Sequence, residues 1–386
     1  MEIGIISYYD VFPPNFGGAV RTFQIAKNLG ALGCRVHLFT PAAESKPIEL
    51  KNVEVHRSKE LNDVPPAGLK DVATVLKLFR SLIKTMKRMD CFANMEIVQS
   101  EGLVCAPYSL MFKKLLAKRA VLDEHAISSV LQYRLSKMSK NNWKRTFLLE
   151  TLACRNADHV LSVSPFEKKT IETLFSIKPS KVTVIPNGVD INHFFSNEEG
   201  KEKVRTKYGL HDVPVILFLA KLNYFPNVDA LQIILSEIYP RVKELVPEAV
   251  FMVVGTHPPS WLKSKDDFIV TGEVDDVAPY VNAADVCIAP LRLGSGTKLK
   301  ILEAMACGKP VVTTTIGAEG LDIKTGENIV VEDSWERFAE WIARLIRDQD
   351  LALRIGKNAR TLAQEQFDWN GIVRQLLAVY RNITTN

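Results

Sequence analysis

Short, uninterrupted apolar runs recur along the chain, and the intervals between them are polar or carry helical spacing. "EIGIISYY" (2–9), "RVHLFT" (35–40), "VEVHR" (53–57), "MEIVQS" (95–100), "RAVLDEH" (119–125), "HVLSVS" (159–164) and "KVTVIPNG" (181–188) form one series. They are rich in β-branched residues and mostly apolar throughout rather than alternating, the pattern of strands buried on both faces of a parallel sheet. Between them lie stretches such as "VRTFQIAKNLGALG", whose apolar positions recur every three to four residues, as in an amphipathic helix. The pattern then restarts with "PVILFLAKL" (214–222), "AVFMVVGT" (249–256), "DFIVTGEV" (267–274), "VCIAPL" (286–291), "PVVTTT" (310–315) and "NIVVED" (328–333). The polar, charged stretch "NHFFSNEEGKEKVRTKYG" (192–209) separates the two series and reads as a linker. The expected architecture is α/β, with two Rossmann-like doubly wound domains, residues 1–193 and 194–366, and a cleft between them. In such sheets ligands sit beyond the carboxyl ends of the strands, so functional residues are sought there.

A length of 386 residues agrees with two domains, being too long for one ordinary core. The composition, 47% hydrophobic and 24% charged, is that of a globular protein. No apolar run reaches the roughly 18 residues a membrane span requires, and the N-terminal "MEIGIISYY" lacks the basic start of a signal peptide. Six scattered cysteines without a C-x-x-C pair read as free thiols of a reducing cytosol. Charge is uneven. Residues 1–193 carry 27 Lys and Arg against 18 Asp and Glu, whereas the remainder carries 22 against 26. A basic first half points to an anionic partner. Residues 69–89 place Val72, Leu76, Phe79, Ile83 and Met86 on one helical stripe among Lys70, Lys77, Arg80, Lys84, Lys87 and Arg88. Such a helix can lie on an anionic membrane or simply pack on its own sheet.

The richest candidate chemistry is in "PLRLGSGTKLKILEAMACGKPVV" (290–312). A strand runs into the turn Gly294-Ser295-Gly296-Thr297, and a helix follows that ends at Gly308. Free amides at a helix start, the hydroxyls of Ser295 and Thr297, and the charge of Lys298 together suit a phosphate or diphosphate. Glu303, about two turns further on and flanked by apolar residues, can accept two hydrogen bonds from a vicinal diol such as a ribose. Gly17 and Gly18 form a second turn that can approach a ligand closely, although they do not make the dinucleotide-binding G-x-G-x-x-G. His125 ends a predicted strand and is placed to donate a hydrogen bond or exchange a proton, and Lys221 leaves a buried strand in a position to meet a diphosphate. The histidines show no metal-ligand spacing, and Asp348-Gln349-Asp350 follows a helix, not a strand, so no metal site is expected.

Taken in order, these motifs resemble the GT-B glycosyltransferases of family 4, the glycosyl transferases group 1 type. "GGAVRTFQIAKNLGALGCRVHLFT" is similar to the family's N-terminal loop and helix, and "ADHVLSVSPFEKKTI" with "VIPNGVDINHF" to its strand and Asn-Gly-Val-Asp loop. "APLRLGSGTKLKILEAMACGKPVVTT" resembles its most specific motif, and residues 367–383 its last helix, which crosses back to the N-terminal domain. The resemblance implies a retaining, hexosyltransferase-like enzyme that needs no metal or resident cofactor. It would move a sugar from a UDP- or GDP-type donor to a glycan or lipid-linked acceptor, in the cytoplasm or at the inner membrane face, with no role for nucleic acid. By the same resemblance Glu303 binds the ribose, and Ser295, Gly296, Thr297 and Lys298 gather at the diphosphate. Lys221 replaces the family's phosphate-binding Arg, Val274 lies near the base, Gly17 and Gly18 approach the donor, and His125 contacts the sugar. The sequence departs from the family at two places. Ser295 stands where a first glutamate is usual, and Asn227, after Pro226, stands where a lysine is usual. Lys298 is the residue expected to restore that charge. A nucleotide-sugar epimerase or hydrolase on the same scaffold, or a catalytically silent donor-binding scaffold, are the alternative readings.

Overall fold

The structure, a computed structural model, describes residues 1–43, 48–59, 61, 94–134, 140–294, 296–321 and 323–385. The amphipathic segment 69–89 and Ser295 lie outside the described residues. The chain forms two compact units, Met1–Asn187 with Trp369–Asn386, and Gly188–Asp368.

The first unit is built on a parallel sheet of β1 (Glu2–Ile6), β2 (Arg35–Pro41), β3 (Val53–Ser58), β4 (Ile97–Glu101), β5 (Arg119–Glu124), β6 (His159–Ser162) and β7 (Val182–Val184), in the order β3-β2-β1-β4-β5-β6-β7. The apolar runs become strands because both faces are covered. Its helices among the described residues are α1 (Gly17–Ala31), α2 (Gly102–Leu116), α3 (Ser128–Arg134), α4 (Lys140–Asn156) and α5 (Pro165–Leu174). Ile3, Ile5, Val36, Leu38 and Ile97 share one buried core with Phe23, Ile25 and Leu29 of α1. α5 starts where the sequence places its signals, with Ser164 capping the Glu167 amide at 3.1 Å and Pro165 in the first turn.

The second unit repeats the plan with β8 (Val215–Leu219), β9 (Val250–Val254), β10 (Phe268–Gly272), β11 (Val286–Ala289), β12 (Val311–Thr313) and β13 (Val330–Val331), ordered β10-β9-β8-β11-β12-β13 and parallel throughout. Its helices are α6 (Glu198–Tyr208), α7 (Phe225–Ile233), α8 (Tyr239–Leu245), α9 (Ala278–Ala283), α10 (Leu299–Ala306), α11 (Trp335–Arg347) and α12 (Gln349–Gln366). The stretch read as a linker is therefore largely helix. Asn197 caps α6 at the Gly200 amide, Gly209 closes it in a left-handed conformation, and it packs on α9. Its composition misleads because little beyond Gly200, Val204 and Arg205 is buried. α13 (Trp369–Thr385) belongs to the first unit, where Trp369, Ile372, Val373, Leu376 and Tyr380 enter the core beside α1. Among the described residues no helix is long and apolar enough to cross a membrane.

Each sheet reverses its strand order once, between β1 and β4 in the first unit and between β8 and β11 in the second. Such a switch point opens a crevice at the carboxyl ends of the strands. The candidate residues gather at these two places.

Candidate functional site

In the second unit the loop after β8 and the turn after β11 flank the switch point. Lys221, two residues beyond β8, is exposed, and its carbonyl accepts the Asn227 side-chain amide at 2.9 Å. The loop can bend this way because Gly255 lies against it. A Cβ there would fall 1.6 Å from the Ala220 carbonyl oxygen, so only glycine fits. After β11, Gly296 adopts φ 68°, which again favours glycine, and Thr297 is buried. α10 begins at Leu299 with Lys298 as its N-cap, one to two residues later than the sequence suggests. The Lys298 ammonium turns back to donate to the Gly296 carbonyl.

The lysine that reaches Asn227 is Lys300. Its Nζ donates to Asn227 Oδ1 at 2.9 Å and lies 4.7 Å from the centre of the Phe218 ring on β8. Asn227 is buried and ties the loop after β8 to α10 through both ends of its amide. Glu303 stands three residues along from Lys300, so the two share a face of the helix. Burial pushes the Glu303 carboxyl up to about 7, against the pull of Lys300. Burial also draws the Lys300 ammonium down to about 7, with Glu303 opposing that and Lys298 reinforcing it. Near neutral pH both groups are thus poised between charge states. An anion beside Lys300 would fix it as a cation, and a pair of hydroxyl donors on Glu303 would fix it as a carboxylate. Arg292 forms a two-pronged pair with Asp229, at 2.5 and 3.1 Å, and stiffens the start of the same turn. Val274 follows β10 and packs, half-buried, on the second unit's core. Asp348 caps α12 at the Leu351 amide, so the Asp-Gln-Asp sequence is a helix start.

In the first unit His125 follows β5 directly and donates to the buried carboxylate of Glu101, at the end of β4, at 2.7 Å. Burial lowers the His125 pKa, but the hydrogen bond and charge of Glu101, with the charge of Asp123, outweigh it and leave the pKa raised. Burial would likewise raise Glu101, yet His125, Gln99 and Thr22 together hold its pKa below the ordinary value. Beneath them Arg21 grips Asp123 through two bonds of 2.9 Å and also donates to the Pro186 carbonyl and to Asn187 Oδ1. Gly17 begins α1, and a Cβ on Gly18 would come within 3.2 Å of Tyr9 and Phe16. The Tyr9 hydroxyl is 2.8 Å from Thr22 Oγ1, which bonds Glu101 at 2.7 Å.

Gly17, Gly18 and His125 thus lie at the switch point of the first unit, and Lys221, Asn227, Gly296, Thr297, Lys298 and Glu303 at that of the second. Sequence reasoning passed over Lys300, Arg21, Glu101 and Arg292. Glu101 carried a signal equal to that of His125, a charged residue at a strand's carboxyl end. Lys300 carried one too, since it shares a helix face with Glu303.

Residues 16–193 match the family described as Glycosyltransferase Family 4, and residues 213–348 match Glycosyl transferases group 1. An uncharacterized glycosyltransferase of Methanocaldococcus jannaschii is 24% identical over 99% of both chains. The chain spans 64% of the length of two Bacillus subtilis relatives at 27% and 25% identity. Among solved structures, the sucrose-phosphate synthase of Thermosynechococcus elongatus has a TM-score of 0.80 at 19% identity, covering 100% of this chain and 99% of that one. HepE of Anabaena, in complex with UDP-glucose, has a TM-score of 0.76 at 17% identity, covering 99% and 100%. At these identities the structural likeness establishes the fold, two parallel-sheet α/β domains of the GT-B type.

Proposed function

The chain belongs to the family 4 glycosyltransferases, and from that premise we propose that it transfers a sugar from a nucleoside diphosphate sugar to a glycan or lipid-linked acceptor. The observation that carries this reading is the Lys300–Glu303 pair behind the glycine turn. It sets a lysine and a glutamate three residues apart, each pushed toward its neutral form by burial. A nucleoside diphosphate supplies both partners, phosphate oxygens for Lys300 and ribose hydroxyls for Glu303. Lys221, Lys298 and the amides around Gly296 and Thr297 complete the anion side. Val274 borders the base. Lys300, rather than Lys298, provides the charge that Asn227 lacks, because it is the lysine bonded there. The UDP-glucose complex of HepE favours uridine as the base.

The reaction retains configuration at the anomeric carbon. The bond from that carbon to the diphosphate oxygen breaks as the bond to the acceptor oxygen forms on the same face, and the acceptor proton passes to the leaving oxygen. The protein's part is placement and stabilisation of the growing diphosphate charge. Lysines do this without a metal, since the charges gathered at the turn are cations and a bound divalent ion would call for carboxylates. On the first unit, His125 contacts the transferred sugar, oriented by Glu101. A lipid carrier on the acceptor is supported by the basic first half and by an apolar groove lined by Leu110, Leu115 and Leu152, with Lys114 at its edge.

Calorimetric titration with UDP-, GDP- and ADP-sugars tests the donor reading. At least one binds saturably to the wild type, and Glu303→Ala weakens it by about tenfold or more, the loss of one or two charged hydrogen bonds. Equal binding by the wild type and the variant removes Glu303 from the site.

A further inference from the structure

Away from both switch points, the edge of the first sheet holds a second cluster of titratable side chains. His37 on β2 lies opposite Glu54 on β3 in the strand register, and His56 follows on the same face of β3. His37 Nδ1 is 3.0 Å from His56 Nε2. The Glu54 carboxylate faces both rings, its Oε2 3.5 Å from His37 Nδ1 and its Oε1 3.7 Å from His56 Nε2. On the other side of the His37 ring, Nε2 donates to Glu2 at 2.8 Å. That bond places the His37 proton on Nε2 and leaves a lone pair on Nδ1, aimed at the cluster. A carboxylate behind a histidine is the arrangement that orients metal-ligating imidazoles. His56 is fixed as well, its ring stacked on that of Phe39 with 4.7 Å between ring centres.

We propose that His37 Nδ1, His56 Nε2 and the Glu54 carboxylate form a binding site for a divalent transition metal of the zinc type. A tetrahedral ion with bonds of about 2.0–2.1 Å sets its ligands about 3.3 Å apart; the two ring nitrogens are 3.0 Å apart, and one Glu54 oxygen lies 3.5 Å from the first while the other lies 3.7 Å from the second, so a small turn of the carboxylate brings one oxygen to both. Two histidines and one glutamate are a familiar zinc set, with the fourth position open to water. His37 is fully buried and Glu54 half exposed, so the ion would enter from the Glu54 side. Bound there, it clamps the edge strand β3 to β2. Among the described residues the other group of three ligand-type side chains, Glu101, Asp123 and His125, is already committed, since Arg21 holds Asp123, and Thr22, Gln99 and His125 hold Glu101.

Titration of the untagged full-length protein with Co2+, followed by visible absorption and displaced by Zn2+, tests the site. The expected result is one equivalent bound, with the d–d bands of a low-symmetry four-coordinate site and no thiolate charge-transfer band. His56→Gln abolishes that signal. Glu54→Ala, a half-exposed position where folding is safe, weakens binding at least tenfold. Glu2→Gln, which touches no ligand atom of the metal, weakens it about 10- to 100-fold through the orientation of His37. His125→Asn leaves it unchanged. No saturable binding by the wild type, or equal affinity in wild type, Glu54→Ala and His56→Gln, overturns the proposal.

Discussion

The ammonium of Lys300 lies 2.9 Å from the side-chain oxygen of Asn227, joining α10 to the first turn of α7. A lysine on the neighbouring helix therefore meets position 227. Lys300→Met keeps the length of the side chain and removes the charge. Donor affinity is expected to fall about 10- to 100-fold, the worth of a hydrogen bond to a charged group, as read by calorimetry. Urea unfolding should show unchanged or slightly higher stability, because a half-buried charge has been replaced by an apolar group.

The same pair gives the unliganded protein a distinctive pH profile. The Glu303 pKa is raised from 4.5 in the unfolded chain to about 7, so its contribution to stability declines as pH rises from 4.5 to 7. The Lys300 pKa is lowered from 10.5 to about 7, so its penalty is full below 7 and is relieved as pH rises from 7 toward 10.5. Both penalties coincide near pH 7. Urea unfolding of the wild type and of Lys300→Met/Glu303→Gln at pH 5, 7 and 9 should give the largest advantage to the double variant at pH 7, on the order of 1–3 kcal/mol. A saturating donor should shrink that difference in favour of the wild type.

His125 and Glu101 stabilise each other in a different window. The raised His125 pKa gives stability that is complete below 6.5 and lost as pH climbs through the folded value. The depressed Glu101 pKa gives stability present above 4.5 and lost as pH falls through its folded value. His125→Asn should therefore destabilise the protein more at pH 6 than at pH 9, as read by urea unfolding. A histidine Cε1 proton resonance titrating above 6.5, and missing from the variant, identifies the residue directly.

Arg21 is a structural requirement for the first unit's site. Its guanidinium is 1% exposed and meets the fully buried Asp123 through two bonds. Arg21→Met strands a buried carboxylate and should cost about 3–5 kcal/mol in urea unfolding. Arg21→Lys should recover only part of this, since a single ammonium cannot reproduce the paired bonds to Asp123 and those to Pro186 and Asn187.

How much of this was legible in the sequence follows from the range of the interactions. Each expected strand was present, and the interior ones were easiest to read because a strand buried on both faces is largely apolar, as in "VILFL" of β8. The glycine turn and Glu303 were legible for a similar reason, since a positive φ at Gly296 and a carboxylate among Ile301, Leu302, Ala304 and Met305 are local facts. α6 was hidden because an exposed helix with few buried positions has nearly the composition of a linker. Lys300 was hidden because its partner Asn227 is 73 residues away, and the choice between Lys298 and Lys300 depends on the phase of α10 against β8. The Arg21–Asp123 and Tyr380–Gln99 bonds join residues 102 and 281 positions apart, and no window of sequence contains either pair.

Transfer itself is the most direct test. The purified protein is incubated with the UDP-sugar it binds best, labelled in the sugar, together with a lipid and glycan extract, and the label and released UDP are counted. The expected result is label in an acceptor fraction matched one for one by UDP, with the linkage in the donor's anomeric configuration and the rate lowered at least tenfold by Glu303→Ala. Free labelled sugar released in step with UDP, or bound donor that never turns over, would contradict it.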